Sequence, residues 1–363
     1  VSFFTANHLP GRIVKTQQGA EYLWFSGTDY LGMAHNEAFR NYLIKATKAY
    51  GMHFGSSRNG SLRLGIYESA ETTFANFIGA ESALLVSSGM WAGQLVLKEI
   101  EEIVKSDAGE YVVHYHYAPK VHPALWGNHF KSNVDSWKDW ALDTTSKINA
   151  DNSSDIHIIC SDAIGSPLVE AFDFSIFGQI QILKNVWLII DESHSVGVLG
   201  KNGIGVRAQI PARLIENTIF VSSLNKGIGI PAGAIWGSKK IIDMLRQSPW
   251  FAGASPPTPA YIAAFQQILE NNIYQTENQK LLGQIRYFSG MLAGNIEFLS
   301  TPDYPVFCST NPDLYQFLLA NGIMASCFSY PSPTDPPITR IAISTLHKKE
   351  DLSRLAEVYN RFF

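Results

Sequence analysis

Short apolar runs alternate with amphipathic stretches through the middle of the chain. Residues 82–86, 111–116, 157–160, 186–190, 218–221 and 234–236 form such runs, and their length and apolarity predict buried strands. Between them, apolar residues recur at helical spacing, as over 91–105 and 238–247. Upstream, Phe39, Leu43 and Ala46 predict a helix over 36–50 with Asn36 as its cap, and a second helix over 67–78 ends at Gly79. Strand–helix alternation predicts right-handed βαβ units and an α/β fold with a mixed, mostly parallel sheet between helices. In such sheets the functional groups stand just beyond the carboxyl ends of the strands.

The pattern changes after Pro249. Pro256, Pro257 and Pro259 break it, a long helical region follows over 260–294, and a small α+β unit closes the chain. That unit has predicted strands near 304–309 and 339–344 and a last helix over 349–362. The expected division is an N-terminal segment 1–35, a large domain 36–250 and a small domain 251–363.

Composition narrows the function. Of 363 residues, 46% are apolar and 17% charged, as in a globular protein with a sizeable interior. Lys plus Arg number 28 and Asp plus Glu 32, giving a net charge of −4 and no general field for nucleic acid. Cys160, Cys308 and Cys327 lie far apart, which argues against a disulfide framework or a zinc ribbon. The first residues carry no basic-then-apolar signal, and no apolar run approaches the roughly 18 residues of a membrane span. The expectation is a soluble cytoplasmic protein.

Candidate chemistry lies after the strands. Asp191 ends the run at 186–190, and His194 follows three residues later. A carboxylate there either caps the next turn or pairs with a protonated ring nitrogen. Lys226 follows the run at 218–221: it is either a surface lysine in a polar turn or a desolvated amine available as a nucleophile. Ser222, Ser223 and the glycines after Lys226 suggest a phosphate cradle, although Lys226 precedes those glycines, unlike a P-loop. Ser87-Ser88-Gly89-Met90 opens a helix, where free amides either bind a phosphate or receive an ordinary cap. His122 could stack on an aromatic cofactor. Alternatively His114, His116 and His122 could hold a metal, but no cysteine or close carboxylate completes a ligand set, so no metal is expected.

The order of these features resembles the fold-type I enzymes dependent on pyridoxal 5'-phosphate, and most closely the α-oxoamine synthase family, which includes 8-amino-7-oxononanoate synthase and serine palmitoyltransferase. The resemblance runs from Asp29-Tyr30-Leu31-Gly32 through Gly55-Ser56-Ser57-Arg58, Ser87-Ser88-Gly89, Asp191-Glu192-Ser193-His194-Ser195 and Lys226 to Pro256-Pro257 and Arg340. It implies that Lys226 bonds the cofactor, Asp191 pairs with its ring nitrogen, His194 donates to its phenolic oxygen and His122 stacks on the ring. It further implies that Ser88, Gly89 and Met90, with Ser223, hold the phosphate, and that Arg340, Arg58 and Asp29 lie near the substrate. The implied reaction joins an amino acid to an acyl-CoA thioester with decarboxylation, in a homodimer with sites at the subunit interface. An aminotransferase of the same superfamily is the alternative, and a metal-dependent hydrolase using His114, His116 and His122 a remote one. Departures from the family pattern include Asp29 in place of an asparagine, Tyr67 in place of a histidine, and Ala252-Gly253 in place of Ser-Thr. The family's serine segment corresponds to 161–168, where Ser161, Asp162 and Ser166 are the candidates.

Overall fold

The computed structural model describes residues 4–105, 111–133, 135–292, 298–329 and 334–362. Strands β1 (Ile13–Lys15) and β2 (Glu21–Phe25) come first, followed by helices α1 (Glu37–Tyr50) and α2 (Gly65–Ile78). Asn36 caps α1 by accepting from the Phe39 amide, and Gly79 ends α2 at φ 68°, where an L side chain would be strained.

The central part alternates as its apolar pattern requires. Its elements are β3 (Ser82–Val86), α3 (Gly89–Lys105), β4 (Val113–Tyr117), α4 (Trp137–Ala150), β5 (Ile156–Asp162), β6 (Asn185–Asp191), β7 (Thr218–Ser223), β8 (Gly233–Gly237), α5 (Lys239–Gln247) and α6 (Pro249–Gly253). The six strands form one sheet in the order β3-β8-β7-β6-β5-β4. Strands β4 to β7 are parallel, and β8 runs antiparallel to both neighbours. Val186 to Asp191 are all buried, as a strand covered on both faces must be. On α3, Ala92, Leu95, Val96, Ile100, Ile103 and Val104 form the buried stripe. Each of the larger ones is worth about 1.5–3 kcal/mol on burial.

The remaining elements are α7 (Pro259–Glu270), α8 (Ile273–Ser289), β9 (Leu299–Ser300), β10 (Val306–Ser309), α9 (Leu314–Ala320), β11 (Ile323–Phe328), β12 (Ile338–Ala342) and α10 (Lys349–Phe362). The single helix expected over 260–294 is two helices. Asn272 takes a left-handed φ of 55°, a conformation asparagine tolerates better than most residues, and the chain turns there. The expected end at Gly294 lies outside the described residues.

The second sheet has the order β1-β2-β11-β12-β10-β9. Its β2 pairs in parallel with β11, Leu23 opposite Ile323. The turn-rich start of the chain is thus an edge of the C-terminal sheet, and α7, beyond residue 250, packs on α1 and α2. Local pattern does not reveal either link, because the partners lie about 180–300 residues apart in sequence. Among the described residues, no helix is long and apolar enough to cross a membrane.

Candidate active site

The large sheet brings Asp162 and Asp191 opposite each other at the carboxyl ends of β5 and β6, with Asp191 opposite Val221 on β7. Asp191 is buried; its Oδ1 accepts from the Ser193 amide at 2.8 Å, and its Oδ2 lies 4.0 Å from His122 Nδ1. That nitrogen also accepts from the Ala124 amide at 3.2 Å, which leaves the His122 proton for Nε2. The Asp162 carboxylate accepts from the His122 amide and so fixes where the ring begins.

Two strands away, the turn after β7 aims Lys226 at the same place. Its Nζ is 2.9 Å from His194 Nε2. The other His194 nitrogen, Nδ1, is 3.2 Å from the Tyr30 hydroxyl, which accepts from Arg340 Nη2 at 2.8 Å. Tyr304 donates to the His194 carbonyl at 3.1 Å. Lys226, His194, Tyr30 and Arg340 therefore form one chain of contacts that links the two sheets.

Burial sets the electrostatics. It pulls the Lys226 ammonium below its ordinary range, against the upward pull of Asp191 and Asp162. Burial, with Lys226 and Arg340 nearby, holds the His194 imidazole well below 6.5, although part of its edge faces the site. Burial first, and then the Asp191 carboxylate, drives Asp162 well above the carboxylate range. The pair accordingly favours a proton on Asp162.

The start of α3 sits against the end of β7. A Cβ on Gly89 would lie 2.6 Å from the Ser223 amide nitrogen, and one on Gly233 would meet the Ser88 backbone, so both close approaches require glycine. Ser88 Oγ accepts from the Trp91 amide, Ser223 donates its amide to Ser193 Oγ, and the first-turn amides of α3 have no intrahelical acceptor. The Gly89 and Met90 amides with the Ser88 and Ser223 hydroxyls make a set of donors suited to a dianion. Arg340 adds a second sign of an incomplete site, since its buried Nε has no hydrogen-bond partner.

Not every expected residue joins this cluster. The buried Arg58 guanidinium donates to Glu71 at 2.6 Å and to the Leu85 carbonyl, and it lies over the Tyr67 ring at 4.4 Å. The Asp29 carboxylate accepts from the Met33 and Ala34 amides and caps the turn there. Of the three candidates in 161–168, the strand's alternation brings Asp162 to the site, while Ser161 Oγ accepts from Trp137 Nε1. The histidine trio of the hydrolase reading does not assemble. His122 stands beside Asp191, while His114 and His116 contact Asp155 and His157 farther back along the strands. Nor does His114 lack a carboxylate, because Asp155 reaches it at 2.9 Å. A cleft of about 750 Å³ lies along β4 rather than over Lys226.

Tyr304 is a site residue that the sequence offered no sign of, Tyr30 stood there only as part of the Asp29-Tyr30-Leu31-Gly32 motif, and Asp162 only as one of three candidates in its segment. Asp162 carries the same signal as Asp191, an acid closing an apolar strand. Tyr304 carries none, because it reaches His194 from the segment before β10, and the hydroxyl contacts of Tyr30 likewise arise only from packing.

An α/β sheet of this order, with a strand-end acid, a strand-end lysine and an anion cradle at one edge, defines a pyridoxal-phosphate-dependent transferase of fold type I. The family model described as "Aminotransferase class I and II" matches residues 20–358, and the chain belongs to that family. Curated relatives include the 8-amino-7-oxononanoate synthase of Petrotoga mobilis, 28% identical over 92% of this chain and 86% of its own length. The enzyme of the same name from Thermosipho melanesiensis is 25% identical over 94% and 88%. Among solved structures, a Sphingomonas wittichii serine palmitoyltransferase covers 99% of this chain and 91% of its own, with a TM-score of 0.79 at 14% identity. The 8-amino-7-oxononanoate synthase of Francisella tularensis covers 94% and 97%, with a TM-score of 0.67 at 20% identity. These two likenesses are of fold.

Proposed function

We propose that the protein is an acyltransferase that condenses an amino acid with an acyl-CoA thioester and releases carbon dioxide, as the 8-amino-7-oxononanoate synthases do. The observation that carries this reading is the convergence of Lys226, His194, His122 and Asp191 on one space beside the Gly89–Ser223 cradle. Pyridoxal phosphate, when bound, supplies an electron sink for the negative charge left at the α-carbon of an amino acid.

The chain's own groups do the rest. Ser88, Gly89 and Met90 bind the phosphate with first-turn amides, assisted by Ser223. Asp191, anchored by the Ser193 amide, holds a proton at the ring nitrogen, while burial and the Asp191 charge disfavour a second carboxylate charge on Asp162 beside it. His122 covers one ring face, and its backbone is fixed by Asp162. His194 orients toward the phenolic oxygen, with Tyr30 and the Tyr304 hydroxyl fixing its position. Lys226 anchors the cofactor, and its lowered basicity favours the neutral amine that takes and returns the α-proton. Arg340 receives the substrate carboxylate through its guanidinium fork.

A homodimer fits the surface beside the cradle. Met90 and Trp250 are 47% and 49% exposed, and Trp91, Pro249, Trp250, Gly253 and Ala254 line an apolar cleft of about 670 Å³. A second copy would cover this face and close the site.

The test is a panel of amino acids and acyl-CoAs scored for free thiol and carbon dioxide. Thiol release that needs both substrates is expected. Release of a keto acid without acyl-CoA would overturn condensation in favour of transamination.

A further inference from the structure

We propose that the chain also carries a divalent transition-metal site at the opposite end of the large sheet, built from His114, Asp151 and Asp155 with His157 as the fourth ligand. The site is independent of the proposed reaction. His157 is five residues before Asp162 on β5, so at ~3.3 Å per residue it lies about 16 Å from the catalytic strand ends.

The ligand atoms of His114, Asp151 and Asp155 lie within 4.8 Å of one another. They come from three separate places: His114 from β4, Asp155 from the residue before β5, and Asp151 from the cap of α4. His157 stands opposite His114 in the strand register, their rings 5.3 Å apart and stacked. Each carboxylate is already oriented for one-oxygen coordination. Asp151 Oδ1 accepts from the Ser153 amide at 2.8 Å, and Asp155 Oδ1 from the Val112 amide at 3.3 Å. Their Oδ2 atoms turn to the histidines, 2.9 Å from His114 Nε2 for Asp155 and 3.2 Å from His157 Nε2 for Asp151. Ligands around a tetrahedral ion with bonds near 2.0–2.1 Å stand roughly 3.3 Å apart, a spacing that the His114, Asp151 and Asp155 atoms approach; His157 would complete the set by turning Nε2 from Asp151 toward the same point.

The outer shell is also in place. His157 Nδ1 is 3.1 Å from His116 Nε2. With His157 Nε2 on the ion, its Nδ1–H donates to His116, the bond that fixes ring and tautomer in protein metal sites. Two imidazoles and two carboxylates select Zn²⁺, Co²⁺ or Ni²⁺ over Mg²⁺ or Ca²⁺. His114 keeps 43% of its side chain exposed, which leaves an entry path. Bound there, the ion would staple β4, the edge strand of the sheet, to the turn before β5.

The test uses the untagged, cofactor-loaded protein, stripped with a chelator and dialysed against Zn²⁺ or Co²⁺. One equivalent per chain is expected by elemental analysis, with the intense visible Co²⁺ bands of a four-coordinate site and a raised Tm. His114→Ala and Asp155→Asn should each weaken binding by more than about tenfold, and His116→Ala by about tenfold. The visible absorption of bound cofactor should stay unchanged in all three. Asp155→Asn keeps the side chain's shape, so a folding failure of His114→Ala does not hide the answer. Failure to retain an equivalent at submillimolar Zn²⁺ would overturn the proposal. So would uptake that His114→Ala and Asp155→Asn leave intact, since the ion would then sit elsewhere.

Discussion

The two ends of the large sheet hold nearly the same side chains under different electrostatic control. At the carboxyl ends, buried Asp191 and half-buried Asp162, His122 and His194 meet Lys226. At the amino ends, His114, Asp151 and Asp155 remain partly open to solvent, while His157 beside them is buried. Burial dominates the first group: it drives Asp162 up and pulls Lys226 and His194 down. Hydrogen bonds dominate the carboxylates of the second. The Ser153 amide holds Asp151 below its usual range, and the His114 ring does the same for Asp155. Desolvation makes the first set suited to moving protons. Hydrogen bonds keep the two carboxylates of the second set charged, and burial keeps His157 neutral, the form in which an imidazole binds a metal.

Substitutions can break this comparison, and the largest effect belongs to Lys226. Lys226→Ala should lose the visible absorption of bound cofactor and lower turnover by at least about 10³-fold. Spectrum and rate together check it, and a retained band would refute the lysine assignment. Asp191→Asn should keep the cofactor bound but cost about 10²–10⁴-fold in turnover, read under saturating substrate. Unchanged turnover would remove Asp191 from the ring nitrogen. Arg340→Ala should act on amino-acid binding, raising KM by about 10–100-fold as a charged hydrogen bond is lost. A fall in kcat alone would mean that the guanidinium serves the fold and not the substrate.

A fourth change sharpens the role of burial. Glu192, fully buried, accepts from the Val206 amide and from Ser195 Oγ, yet burial lifts its carboxyl to about 7 from an ordinary 4.5. The folded chain keeps this proton where the unfolded chain has released it. Its contribution is therefore complete below about pH 4.5 and fades as pH rises through 7, by up to about 3 kcal/mol. Glu192→Gln should flatten that slope in urea unfolding at pH 5 and pH 8; an identical slope would place the titration elsewhere. The smallest effect is expected at the other end, where His114→Ala should leave turnover unchanged while altering metal retention.

Much of this was legible along the chain. The strands at 82–86 and 218–221 and the helix at 349–362 stand where apolar periodicity put them, because local burial determined both pattern and structure. Asp191 and Lys226 were visible as polar residues closing apolar runs. Arg58 shows the limit: its motif neighbours were clear, but only packing showed that Glu71 and the Tyr67 ring occupy its guanidinium. His114 shows the same from the other side, since Asp155 lies 41 residues away in sequence and 2.9 Å away in space.

The sequence by itself determined the alternation of buried strands and covering helices, and with it which end of the sheet would carry chemistry. Period and apolarity are local properties, and each strand's last residue is fixed by where the run stops. Only the tertiary structure decided that Asp162 would share a site with Asp191, that Tyr30 would join Lys226 to Arg340 across two sheets, and that two histidines and two carboxylates would gather behind them. Those contacts depend on strand order and register, which arise from packing between segments that carry no signal of one another.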